Sequence, residues 1–166
     1  MAKDLPWSAS NRVDSVPHAW AGSRSLVMFG YASRIIKKTR LEIDRCLAPY
    51  GLSQPQAVII CLLNDAEGQE ICQKDLEEAL DLTNPTVTSI LSNMLSKGLV
   101  EKKPGKADKR VRVITLTEKG KSLYALSSRT LLDASSFFEE NLSPKELDEL
   151  EVLFRKALGI PLDERE

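Results

Sequence analysis

Between positions 97 and 112 the chain gathers seven cationic side chains, at 97, 102, 103, 106, 109, 110 and 112, against Glu101 and Asp108. That segment carries a net +5 and the remainder −6, within a formal net charge of −1. Lys and Arg clustered in this way suit a polyanion, because each can neutralise a phosphate and release its condensed counterions. Salt screens charges beyond about 8–10 Å, so the local patch matters more than the mildly acidic total. Arg110 adds a planar fork of donors that fits a phosphate or a narrow minor groove, and the nearby Asp108 can hold that fork in one orientation. Lys102, Lys103, Lys106, Lys109 and Arg112 are less specific, and are expected to meet phosphates or simply to solvate the segment. The bland alternative for Asp108 and Arg110 is a plain surface ion pair, worth about 0–1 kcal/mol.

A second chemical signal lies just upstream. At about 100° per residue, Pro85, Thr86, Ser89, Ser92, Asn93 and Ser96 share one helix face, all short and none acidic. An ordinary solvent-facing helix carries Glu and Lys pairs. Short hydroxyls and amides instead let a helix approach a groove wall and bond to base edges or phosphates, where carboxylates would be repelled. Asn84, Pro85, Thr86, Thr88, Ser89, Ser92 and Asn93 are therefore the candidate DNA contacts of this helix, with a merely polar face as the alternative.

The elements that position these groups follow from periodicity and punctuation. Residues 19–47 read as one long helix, broken by Ala48-Pro49-Tyr50-Gly51. Ser53-Gln54-Pro55-Gln56 is a capping-box start for a short, nearly all-apolar helix that stops near Asn64-Asp65. Ile71 is expected to form a very short strand, Cys72 to cap a helix over residues 73–80, and Thr83 to cap the next. In that helix Val87, Ile90, Leu91, Met94 and Leu95 form a narrow apolar stripe, and Gly98 is its left-handed C-terminal cap. Residues 99–103 and 110–116 read as a hairpin around a projecting loop at 104–108. Thr117 begins a long helix over residues 118–141, and Ser143-Pro144-Lys145-Glu146 opens a last one ending at Gly159. Helix-turn-helix plus hairpin is the winged-helix arrangement, so the fold class expected is mainly α with a small β-hairpin wing, flanked by long helices.

Composition excludes other classes. With 42% hydrophobic and 28% charged residues the chain is globular, and no run reaches the roughly 18 apolar residues of a membrane span. Neither a signal-type apolar region nor a membrane partner is expected, and the cytoplasm is the expected compartment. Cys46, Cys61 and Cys72 match neither a redox pair nor zinc-ligand spacing, so no metal and no cofactor is expected, and the thiols read as reduced small hydrophobes. The sole histidine, His18, falls in an aperiodic arm over residues 1–18; without a phosphate loop or an acid pair, catalysis is not expected.

Leu82-Thr-Asn-Pro-Thr-Val-Thr88, Lys97-Gly-Leu-Val100, Asp108-Lys-Arg110 and Leu116-Thr-Glu-Lys-Gly120 together resemble the multiple antibiotic resistance regulator (MarR) family of bacterial transcription factors. The resemblance runs over roughly residues 26–158. It implies a homodimer held by residues 19–50 and 118–160 around a DNA-binding domain at 51–117, with double-stranded DNA containing a pseudo-palindromic operator as partner. It carries the wing's Asp-x-Arg pair over to Asp108 and Arg110. It also implies release by a small phenolic or other aromatic acid, for which His18, Trp20, Tyr31 and Arg34 could supply stacking and an anion partner. Cys46 lies near the far end of the first helix, away from the position expected of an oxidant sensor in the family. A redox-sensing regulator of the same fold, and a winged-helix module that binds an acidic protein, remain the alternatives to a ligand-released repressor.

Overall fold

The computed structural model describes residues 22–106 and 108–161. Contacts divide the chain into two units, residues 1–42 and 43–166. The first holds most of α1 (Arg24–Leu47). Periodicity predicts a start at Ala19, but the helix begins at Arg24. Gly22 lies in a turn there, and Ser23 Oγ accepts from the Leu26 backbone N–H at 3.4 Å as an N-cap. Residues 19–21 lie outside the described residues.

The second unit opens with the last turn of α1, whose Ile43 and Leu47 are buried in its core. A 3-10 turn at Ala48–Tyr50 ends at Gly51, and α2 (Gln54–Asp65) follows with Gln56 Oε1 accepting from the Ser53 N–H at 3.2 Å. Ala57, Ile59, Ile60 and Leu63 of α2 are buried, as its apolar run predicts. The expected strand at Ile71 is a stub. Ile71 O accepts from the Ile114 N–H at 2.8 Å, and the antiparallel bridge itself joins Cys72 to Val113. Cys72 also stands at the N-cap of α3 (Gln73–Leu80), where Asp75 Oδ2 accepts from its N–H at 2.7 Å.

α4 (Asn84–Ser96) buries Val87, Leu91 and Met94. It closes as expected on Gly98 at φ +65, whose N–H bonds Leu95 O while the Leu99 N–H bonds Met94 O, both at 2.9 Å. β1 (Val100–Pro104) pairs antiparallel with β2 (Arg112–Leu116), Val100 opposite Leu116 and Pro104 opposite Arg112. The return strand therefore begins two residues later than its β-branched pattern predicts. Bonds from Gly105 N–H to Val111 O (2.9 Å) and from Val111 N–H to Asp108 O (3.0 Å) draw Arg110 and Val111 into the loop.

The long helix predicted over residues 118–141 is three pieces: α5 (Glu118–Ser122), α6 (Tyr124–Ser135) and α7 (Phe137–Asn141). At the first break the Leu123 N–H bonds Gly120 O, three residues back. At the second, Ser135 Oγ donates to Leu131 O and Leu132 O, and Ser136 Oγ to Asp133 O. These hydroxyls compete with the backbone ladder, a feature invisible to apolar periodicity. Gly120 lets α5 press against the wing's base, since a Cβ there would stand 2.1 Å from Leu99 O. α8 (Pro144–Leu158) has the expected capping box, Glu146 Oε2 accepting from the Ser143 N–H at 2.8 Å, and ends at Gly159.

Leu47, Ile59, Ile60, Leu76, Val87, Leu91, Met94, Leu99 and Ile114 are all under 2% or at 2% exposed and form one cluster. Full burial of each such side chain contributes about 1.5–3 kcal/mol. One core thus seats α4 and the hairpin together, and the fold is mainly helical with a two-stranded hairpin, as expected.

Candidate nucleic-acid interface

The face of α4 opposite its buried stripe is Pro85, Ser89, Ser92 and Ser96, all exposed. Among the described residues the Ser89 and Ser92 hydroxyls have no protein hydrogen-bond partner. They form an uncharged ridge of short donors and acceptors able to enter a groove and meet base edges.

The other four candidates flank this ridge, and each is already engaged. Toward α3, Asn84 Nδ2 donates to Glu77 Oε1 at 2.6 Å, while Gln73 Nε2 donates to Glu77 Oε1 at 2.9 Å and to Thr88 Oγ1 at 2.8 Å. Thr86 shares its hydroxyl with Thr83, 2.9 Å away, so Thr83 bonds a side chain instead of capping the helix backbone. On the side toward α2, Asn93 Oδ1 accepts from Gln56 Nε2 at 2.6 Å. Sequence reasoning names all seven as candidate contacts of this helix and places five of them, Pro85, Thr86, Ser89, Ser92 and Asn93, on one face with Ser96. It does not identify Gln73, Glu77 and Gln56 as the groups that hold the flanks, because side-chain partners 7 to 37 positions away on other helices leave no local pattern.

In the wing, Lys102, Lys103, Lys106, Asp108, Lys109, Arg110 and Arg112 are all exposed. The expected pairing of Asp108 with the Arg110 guanidinium is not what the loop contains. Asp108 Oδ1 accepts from the Arg110 backbone N–H at 2.8 Å, and among the described residues no ion pair joins the two side chains. With the Val111-to-Asp108 backbone bond this makes an Asx-type turn, the conformation Asp favours through its short acceptor. Glu70, from the loop before α3, anchors the wing by accepting from the Lys106 N–H at 2.5 Å. Lys103 Nζ lies 2.6 Å from Glu101 Oε1, which offsets part of its charge.

Of the candidate effector residues, His18 and Trp20 lie outside the described residues. Tyr31 and Arg34 are three apart on α1, hence on neighbouring turns of one face, with Tyr31 exposed. Within the second unit a cavity of about 250 Å³ opens between the loop after α2 and the wing's base, lined by Leu63, Gln69, Ile71, Lys103, Ile114 and Lys121 among others. No group of three or more His, Cys, Asp or Glu among the described residues could hold a metal. Burial, and then Asp65, push the Cys61 thiol above its ordinary pKa, which works against a reactive thiolate there. No single described helix is long and apolar enough to cross a membrane.

Comparison with known proteins agrees with this geometry. A family model, that of the MarR family, matches residues 52–111. The HTH-type transcriptional repressor YetL of Bacillus subtilis is 30% identical over 135 residues, covering 81% of this chain and 78% of the relative. The S. aureus MepR–DNA complex superposes with a TM-score of 0.72 at 23% identity, covering 79% of this chain and 96% of that one. A mutant MarR from E. coli complexed with operator DNA gives 0.68 at 24% identity, covering 84% and 97%.

Proposed function

The chain belongs to the MarR family of DNA-binding transcription regulators, and we propose that it acts as a homodimeric repressor that binds a pseudo-palindromic operator and is released by a small molecule. The observation that carries operator reading is the ridge of Pro85, Ser89, Ser92 and Ser96, uncharged and exposed, on a helix packed against the first strand of a cationic hairpin. The ridge would enter the major groove, while Arg110 and the wing lysines reach flanking phosphates or the minor groove. Steeply salt-dependent binding to duplex DNA, with one palindrome preferred over random sequence, tests this; equal affinity for all sequences, or capture of acidic protein instead, sinks it.

Repression is supported by YetL, a relative named as a repressor, and operator binding by the DNA-bound neighbours. For the dimer, the support is exposed apolar surface. Met28, Phe29, Ile36 and Leu41 on α1, and Leu153, Phe154, Leu158 and Ile160 at the end of the chain, are each at least 46% exposed. Apolar surface on that scale marks an interface. Residues 19–50 and 118–160 would then be the dimerisation segments, and the recognition helices would address half-sites about 10 bp apart. Light scattering should return twice the chain mass of 18.5 kDa, and a monomer at working concentration would exclude the arrangement.

An aromatic acid is the effector class proposed, with Tyr31 for stacking and Arg34 for its carboxylate, joined by His18 and Trp20. Calorimetric titration of aromatic acids into the wild type and into Arg34→Ala tests it, equal binding by both removing Arg34 from the site. The DNA-bound role proposed here is consistent with the cytoplasm as the compartment.

A further inference from the structure

The buried amide of Gln56, 4% exposed, is the hub of a junction between the start of α2 and the recognition helix. Its Oε1 accepts from the Ser53 N–H and from Lys97 Nζ, both at 3.2 Å, and its Nε2 donates to Asn93 Oδ1 at 2.6 Å. Lys97 Nζ in turn donates to Gly51 O at 2.6 Å. The backbone ahead of α2 is thereby tied to the C-terminal half of α4 through polar, directional contacts. The buried residues of α4 are the apolar stripe of Val87, Leu91 and Met94.

Apolar contacts are non-directional, so the stripe alone would let α4 roll about its own axis. A roll of about 20° carries a side-chain atom some 5 Å from the axis through about 2 Å, more than a hydrogen bond tolerates. A buried amide resists such a roll, because it cannot be left unpaired without a desolvation penalty. The α3 contacts of Asn84 and Thr88 hold the opposite flank near the N-terminal end, so the two clamps oppose roll in both senses.

We propose that Gln56 is a positioning residue for sequence readout, setting the rotation of the recognition helix through Asn93 and Lys97 and so fixing which bases the Ser89 and Ser92 hydroxyls reach. Asn93 accordingly serves the helix's seating first, with its Nδ2 as the group left to face a DNA acceptor. This rests on the operator-binding reading above.

The test uses the full chain and an operator obtained by selection of bound genomic fragments. Gln56→Met keeps the side chain's length and removes its hydrogen bonds; Asn93→Ala removes the partner; the double variant closes the cycle. Gln56→Met is expected to lower the operator-over-random affinity ratio about tenfold while affinity for random duplex and its salt slope stay constant, Asn93→Ala to lower the ratio at least as much, and the double variant to be no worse than Asn93→Ala alone. Equal loss on both DNAs, an unchanged ratio, or additive losses would overturn the proposal. Should Gln56→Met fold poorly, surface variant Asn93→Ala still decides it without DNA. Exchange of the Gln56 side-chain amide protons should accelerate at least tenfold, and unchanged exchange overturns the lock. Wild-type protein with no preference for any duplex would instead defeat the operator reading and leave this exchange result standing.

Discussion

Asp108 Oδ1 accepts from the backbone N–H of Arg110 at 2.8 Å, so the one carboxylate in the basic loop shapes the turn and leaves the guanidinium's direction unset. An amide oxygen can take over that acceptor role. Asp108→Asn should therefore keep operator binding and raise affinity for random duplex slightly, by removing a negative charge, whereas Asp108→Ala should weaken operator binding several-fold. Loss of binding in Asp108→Asn equal to that in Asp108→Ala would restore the side-chain ion pair as the operative contact.

Arg110→Ala should weaken operator binding about tenfold and lower the slope of log affinity against log salt by about one, with melting temperature and dimer mass unchanged. Affinity that stays constant at physiological salt would remove the wing from recognition.

The two lysines at the wing's base should differ. Lys103 is already beside Glu101 at 2.6 Å, so Lys103→Ala deletes a charge that its neighbour partly cancels. Lys102→Ala is expected to reduce the salt slope more than Lys103→Ala does, which titrations at several salt concentrations will measure.

Gly120→Ala should be the most damaging single-methyl addition. The new Cβ would meet Leu99 O at 2.1 Å and Leu116 Cδ2 at 3.0 Å, and the first contact is rigid backbone. Overpacking of this kind costs about 1–3 kcal/mol. Gly105→Ala meets Asp108 O at 2.8 Å, within the turn of the wing, and should disturb DNA binding more than stability. Thermal melts and operator affinities on the two variants separate the cases.

Acid should loosen two helix starts. The backbone N–H of Cys72 chiefly holds the Asp75 carboxyl below its ordinary value of 3.8, and the Ser143 side chain and then its backbone hold Glu146 below 4.5. In both groups the folded pKa is the lower one. Their stabilisation is thus complete above the unfolded values and is lost as pH falls through the folded ones. The Asp75→Asn, Glu146→Gln double variant should melt below the wild type near neutrality and converge on it in acid. A constant gap across that range would show that the two charges are not involved.

Much of the fold was legible because its signals are local. Gly98 after an apolar stripe, Ser143 three before Glu146, and Pro104-Gly105 ahead of a β-branched run each specify backbone conformation within a few residues. The break at Ser135 and Ser136 was missed because hydroxyls that bond back to helix carbonyls do not disturb the apolar period. For Asp108 the sequence suggests the Arg110 guanidinium as partner and the loop instead uses the Arg110 backbone N–H, because spacing tells which residues are near and not whether a carboxylate meets a backbone or a side chain.

From the chain alone came the class of fold, the seating of Val87, Leu91 and Met94, and the exposed polar and cationic surfaces, all consequences of period and charge along one line. Folding alone revealed how that surface is held. Gln56 meets Asn93 across 37 positions, Gln73 meets Thr88 across 15, and Glu70 meets the wing across 36. Hydrogen bonds depend on distance and angle between atoms, and those are set only once one core has brought separate helices and the hairpin into register.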